Sequence, residues 1–332
     1  MRRFNLILLI AGTVFLYWML KQLGWASLGL YLGHAGYYWP LLFLPYGLVN
    51  LLWALSWGFL LPDKMTRPSP GRLFLLHLAG ESLNQLTPTA SMGGEPFKVF
   101  RLRDLGVPWE EATASVVIHK GLFISSLAFY CFLGVVLTPF LLSISVFHLR
   151  LLSLAVLALG AGAILFLIVQ RKSPCVSAMR LLEKCGLCPK KLKEKERELL
   201  DLDLCLAGFY RKYPRRIFLS FLALMLGWLF HAVEAGVFFR LMGHPINFGQ
   251  GLCLDALATI FASIGFMIPG ALGIQDSGTV LVALGLDLGA SLAGAFAILR
   301  RIREAFWLST GLLAATVGHQ KATEQKPAVS SL

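Results

Sequence analysis

One stretch of this sequence occurs twice, and the chain has to fold around both copies. The first runs from Leu83 to Lys120 and the second from Ile264 to Arg300. Each opens on an apolar run ending in proline, LNQLTP to Pro88 and IGFMIP to Pro269. Each continues through a small, polar, glycine-rich turn, TASMGGEP around Gly94–Glu95 and GALGIQDS around Gly273–Asp276. Twelve positions separate Gly94 from Gly106, and twelve separate Gly273 from Gly285. An alanine-rich helical stretch then leads in fourteen positions to Lys120 and in fifteen to Arg300. The same order of proline, turn, glycine and cation in two apolar regions indicates an internal duplication. Such duplications are the sequence pointer to a transporter-type binding site.

Composition places the repeat in a membrane. The chain is 57% hydrophobic and 14% charged. Several of its apolar runs approach the roughly 20 residues that span hydrocarbon. The formal net charge of +12 is unevenly spread, with thirteen Lys/Arg against six Asp/Glu in residues 171–216. Between spans, such a stretch reads as a cytoplasmic loop under the positive-inside bias, not as a nucleic-acid site. Six cysteines are present. Cys131 and Cys253 fall in apolar runs and read as core residues. Cys175, Cys185, Cys188 and Cys205 fall in the basic loop, where free thiols are preferred over a zinc site because the outer spacings are irregular.

Read in order, the chain predicts an all-α polytopic membrane protein, a single domain over 1–320 with a polar tail at 321–332. Full spans are expected at 4–20, 37–61, 112–137, 148–170, 214–241 and 290–317. Half-length helices at 73–86 and 96–105, and again at 251–268 and 275–284, read as two re-entrant hairpins. Such irregular backbone is tolerated at membrane depth only beside protein or a water-filled cavity. Repeat one then covers about 73–140 and repeat two about 252–317, with the basic loop 171–215 between them. Six full spans put both termini inside and make the hairpins enter from opposite sides, an inverted repeat. Parallel repeats with one span miscounted are the competing arrangement. Within the loop, KLKEKERELLDLDLCLAGFY alternates charge and leucine as an interfacial amphipathic helix does.

Ionisable groups at membrane depth are costly and need partners or water. Arg300, Arg303 and Glu304 share a helical face, and a surplus of positive charge there would suit an anionic head group. The competing reading puts those arginines at an interface between two half-segments. Lys120, beside His119, is the matching cation of the first repeat, or else snorkels to the surface. His231 and Glu234 lie three apart and form either a proton-coupling pair or a helix–helix hydrogen bond. Glu95, Lys98 and Arg101 share a face just after Gly94. Gln275 and Asp276 take the matching place after Gly273, and both acids are expected to cap their half-helices while lining a cavity. Asn84 belongs to the same polar set. His77 with Glu81 is read as structural, not as a metal pair. No nucleotide loop, zinc-protease motif or serine elbow is present. No cofactor, metal, nucleic-acid partner or enzymatic activity is expected.

At these residues the chain resembles the flippase-like transmembrane family named for the membrane half of lysylphosphatidylglycerol synthase. The resemblance rests on LNQLTPTASMGGEPFKVFRLRDLG with ATASVVIHK, and on IPGALGIQDSG with LGL and RRIRE. It implies a bacterial inner-membrane protein moving a lipid between leaflets, phospholipid, polyprenyl-linked or hopanoid-type. By this likeness the family's first-turn Gly-Glu falls on Gly94 and Glu95. Its second motif falls on Pro269, Gly270, Gly273, Gln275 and Asp276, and its late arginine on Arg300 or Arg301. The expected function is a translocase for a lipid with a polar or anionic head group. The alternative is a non-transporting scaffold for a glycosyltransferase or lipid-modifying enzyme.

Overall fold

The computed structural model describes residues 33, 36–61, 68–87, 92–171, 174–184, 196–264, 271 and 273–324. Every regular element among them is helical. A 3-10 helix, Gly36–Leu42, leads into α1, Leu44–Gly58. Then come α2 (Pro70–Leu86), α3 (Gly94–Asp104) and α4 (Trp109–Leu141). Next are α5 (Val146–Arg171), α6 (Pro174–Lys184) and α7 (Glu196–Lys212). The chain continues through α8 (Pro214–Leu241), α9 (Phe248–Ile264), α10 (Ile274–Gly285) and α11 (Ala290–Glu324). Proline opens α1, α2 and α8 within the first turn, where its missing N–H costs nothing and its fixed φ suits a helix.

The duplicated motif reappears as duplicated element lengths. Helices α2, α3 and α4 have 17, 11 and 33 residues, and α9, α10 and α11 have 17, 12 and 35. In each set the two short helices pack on one another and a long helix follows. The sets also exchange partners: α2 lies along α11, and α9 lies along α4. Small residues permit both approaches, as they commonly do between membrane helices. A Cβ on Gly94 would fall 1.9 Å from the Gly80 carbonyl oxygen, so α3 reaches the backbone of α2. A Cβ on Gly311 would fall 2.1 Å from Ser82 Oγ and 2.4 Å from the Leu78 carbonyl oxygen, so α11 reaches α2 as closely.

Three apolar clusters fill the interior. One joins α4, α8, α9, α10 and α11 around Phe238, Phe239 and Phe296. A second joins α1, α4, α7, α8 and α9 around Trp53, Tyr130 and Trp228. The third closes the first hairpin over Trp57, Leu73, Val99 and Leu102. Among the described residues, four helical stretches are long and apolar enough to cross a membrane: Gly36–Gly58, Trp109–Leu141, Val146–Gln170 and Pro214–Leu241. They coincide with four of the six expected spans. The expected span at 4–20 lies outside the described residues. The one at 290–317 is a continuous helix, but Arg300, Arg301, Arg303 and Glu304 interrupt its apolar run. Of the four spanning-length stretches, α5 is by far the least buried, with Leu151, Leu154, Leu157, Ile164 and Leu165 exposed.

Two stretches of the basic loop are helical. Helices α6 and α7 pack together, and α7 seats Leu202 and Leu206 against α4. The buried Asp203 carboxylate of α7 accepts hydrogen bonds from the Cys175 and Val176 backbone N–H groups, both at 3.0 Å, which caps the start of α6. Burial, then the nearby Asp203 carboxylate, push the Cys175 thiol up to about 12. Cys131 and Cys253 are core residues as expected. Cys185 and Cys188 lie outside the described residues, as do Pro88 and the tail beyond 324.

Candidate functional site

The polar residues gather in two sets, one per repeated unit, where each long helix passes its own hairpin. In the first, Lys98 of α3 is 1% exposed. Its Nζ sits 2.6 Å from Glu81 Oε1 on α2 and 3.4 Å from Glu95 Oε2. Its stem fills the groove over Gly80. Lys120 on α4 reaches Glu95 Oε1 at 3.4 Å. Its ammonium therefore lies against the first hairpin. Asn84 organises the turn: its Oδ1 accepts from the Gly94 backbone N–H at 2.7 Å, and its Nδ2 donates to Glu95 at 3.1 Å and to Glu81 at 3.3 Å. The cap of α3 is thus supplied by Asn84. Glu95, expected to cap, instead faces Lys98 and Lys120. Arg101 also departs from expectation. It lies a turn further on and donates to the Ala315 carbonyl at 3.1 Å, with Asp104 3.6 Å away.

The second set is built on α11. Arg301 holds Asp276 of α10 through Nε at 2.8 Å and Nη2 at 3.0 Å, the two-pronged geometry that suits guanidinium and carboxylate. Its Nη1 reaches Glu304 at 2.8 Å. Asp276 caps α10 as expected, accepting from the Gly273 N–H at 3.0 Å. Gly273 has φ +81°, a left-handed conformation that glycine adopts without steric cost. Gln275 is half-buried in the same first turn. Pro269 lies outside the described residues.

Arg300 points elsewhere. Its Nη1 lies 3.0 Å from Asp255 Oδ1 on α9, and Tyr130 of α4 donates to Asp255 Oδ2 at 3.0 Å. Arg303 pairs with Glu234 of α8, lies 3.5 Å from Glu304, and stacks its guanidinium 3.8 Å from the Tyr46 ring centre. His231 Nδ1 stands 3.8 Å from both Glu234 and Asp255. Of the two readings of this pair, the helix–helix hydrogen bond is made by Glu234, to Arg303 of α11, while neither ring nitrogen of His231 has a hydrogen-bond partner.

Two expectations need correction. Counting from the turn acids, Glu95 to Lys120 and Asp276 to Arg301 are both 25 positions. Arg301 is therefore the structural counterpart of Lys120, and Arg300 is not. The surplus of positive charge is also absent among the described residues. Around α11, three arginines meet four carboxylates: Asp255, Asp276, Glu234 and Glu304. In the first unit, Lys98 and Lys120 meet Glu81 and Glu95. Low-dielectric burial explains the pattern, since an unpaired charge there would cost several kcal/mol. The arginines of α11 are interior, not interfacial: Arg300, Arg301 and Arg303 are each 5% exposed or less.

Sequence reasoning passed over Asp255 and Tyr130, read Glu81 as structural, and reached Arg301 only as the alternative to Arg300 that the family likeness left open. Asp255 carried a usable signal, because a lone carboxylate in an apolar helix is itself a functional pointer.

A family model described as the lysylphosphatidylglycerol synthase TM region matches residues 5–312. The chain is also similar to a UPF0104 membrane protein of Pyrococcus horikoshii, 26% identical over 290 residues, covering 80% of this chain and 82% of that protein. No solved structure matches it. Together with the spanning-length helices, these likenesses make the chain a multi-pass, all-helical membrane protein.

Proposed function

Because the chain belongs to the lysylphosphatidylglycerol synthase TM-region family, we propose that it moves a lipid with a polar head group between the leaflets of the inner membrane. One observation carries this reading. Two units of the same build each place a carboxylate–cation pair, Glu95–Lys120 and Asp276–Arg301, at the turn of a helical hairpin. Side chains this polar are retained inside a membrane protein where something polar must pass or bind. The paired charges offer donors and acceptors side by side, so the head group is met by hydrogen bonding, not by a field of one sign.

In this reading the hairpins are re-entrant and enter from opposite faces of an inverted repeat. The six spans leave both termini in the cytoplasm. The lipid's head group passes between the hairpins while its chains stay in hydrocarbon, and one unit rocks against the other. The sequence holds no nucleotide loop, so the driving force is a gradient or downhill lipid flux.

The test is a leaflet-exchange assay in liposomes with head-group-labelled zwitterionic and anionic lipids. Wild-type protein should speed exchange of at least one probe. The double variant Glu95→Gln/Asp276→Asn, which breaks both turn pairs, should reduce that rate at least tenfold at equal folded yield. Unchanged exchange in the variant would remove the hairpin turns from the path. No exchange by wild type of these and of polyprenyl-linked probes would favour the scaffold role.

A further inference from the structure

Among the described residues, the charged network around α11 is one positive charge short. Asp276, Glu304 and Glu234 are chained together by Arg301 and Arg303, two cations for three acids, while Arg300 pairs with Asp255 alone; His231 joins the two sets. The groups turned toward its centre come from every element packed there. They are Tyr46 on α1, Tyr130 on α4, Glu234 and His231 on α8, Asp255 on α9, Asp276 on α10, and the arginines with Glu304 on α11. The first unit's charges are even by themselves. Uncompensated charge in a low-dielectric interior is strongly unfavourable, and a bound proton is the simplest way to remove it.

The geometry says where that proton can go. His231 is 6% exposed, stands between two carboxylates at 3.8 Å, and has both ring nitrogens unpartnered. Glu234 is 3% exposed, and its Oε1 is unpartnered too. Arg303 Nε, also unpartnered, lies in the same network. Buried polar atoms in folded proteins are nearly always satisfied. Here several unsatisfied atoms collect around one base and one acid. The ring is held in place from three sides, stacked on Trp228 at 5.5 Å and flanked by Trp53 at 5.9 Å and Tyr46 at 5.5 Å.

We propose that His231, Glu234 and Asp255 bind one exchangeable proton between them, which is the driving ion of the transport. The driving role rests on the translocase reading; the proton site does not. The proton belongs to the cluster as a unit, because groups this close titrate together. It arrives from water on one side and departs to water on the other, and no bond other than its own is made or broken.

The test uses the full-length protein in lipid nanodiscs. Imidazole protonation is followed by nitrogen NMR with labelled histidine; the chain has seven histidines, and His231 is identified by its loss in His231→Gln. Carboxyl protonation is followed on the same samples by infrared difference spectroscopy. From about pH 8 to about pH 6, where imidazoles normally titrate, wild type should gain one proton per chain at His231, Glu234 or Asp255. Glu304→Gln should gain none, because it closes the charge count while leaving those three residues in place. Asp276→Asn does the same from another helix and serves if the first variant folds poorly. No gain in wild type, or an equal gain in either variant, would overturn the site. Neither readout depends on lipid movement. A protein that gains the proton and moves no lipid keeps the site and loses the translocase reading. In liposomes, a gradient of one pH unit should sustain up to about a tenfold leaflet difference in labelled lipid. Equal leaflets under that gradient would overturn the driving role.

Discussion

Replacing Lys98 by methionine isolates the electrostatic part of the first hairpin. The methionine keeps most of the stem that packs over Gly80, where Lys98 side-chain carbons lie 2.3–3.0 Å from the site of a glycine Cβ. Packing is therefore largely preserved. What is lost is the ammonium between Glu81 at 2.6 Å and Glu95 at 3.4 Å. Removing one partner of a buried pair typically costs about 3–5 kcal/mol, because the other charge stays buried. The Glu81 side chain keeps 25% of its exposure, so the lower figure applies, about 3 kcal/mol, or roughly a hundredfold in the folding equilibrium. The double variant Lys98→Met/Glu81→Gln removes both charges and should recover to within about 1 kcal/mol of wild type. The assay is reversible unfolding in mixed micelles followed by tryptophan fluorescence. A Lys98→Met protein within about 0.5 kcal/mol of wild type would show that this pair is solvated. That result would refute the argument from burial.

Three further predictions use the same unfolding assay or a simple chemical one. Gly94→Ala drives its Cβ into the Gly80 backbone at 1.9 Å and should cost at least about 3 kcal/mol or prevent accumulation. Gly294→Ala, with open space around its Cβ, should instead stabilise by up to about 1 kcal/mol. In a variant keeping Cys175 as its only cysteine, maleimide labelling should be slow at neutral pH, since the thiol is pushed up to about 12. The sign follows: the folded state holds that proton more tightly than the unfolded state, so its stabilising effect is present below about pH 9 and fades as pH rises toward 12. Asp203→Asn should speed the labelling, and unchanged labelling would remove that carboxylate as a cause.

Much of this was legible in the sequence because turns and apolar length are local properties. The half-helices at 73–86 and 275–284 emerge as Pro70–Leu86 and Ile274–Gly285. Pro214 opens α8 as its position suggests. The charged residues of α11 were harder, for a geometric reason. Arg300, Arg301 and Arg303 project in different directions from one helix, and only the neighbours decide which meets the second hairpin. The motif glycines pointed to Arg300; the turn acids, measured to their partners, give Arg301. Asp255 was missed because α9 reads as uniformly apolar around it, and a carboxylate's partners there, Tyr130 and Arg300, are remote in sequence. Charge surplus was misjudged for the same reason. It was counted along one helix, while the compensating acids come from three others.

The exchange of helices between the two units has a consequence for biogenesis. The partners of α2 and α3 are on α11: Ser82 donates to the Leu308 carbonyl, 226 residues later, and Arg101 to that of Ala315, 214 residues later. At a synthesis rate of about 5–20 residues per second, the first hairpin waits roughly 10–45 seconds for them. Until then Glu81, Lys98 and Arg101 sit in a hairpin that lacks its final cover. The most polar part of the first unit therefore waits without its last neighbour while nearly everything after it is made. Its contacts close only when the last long helix arrives.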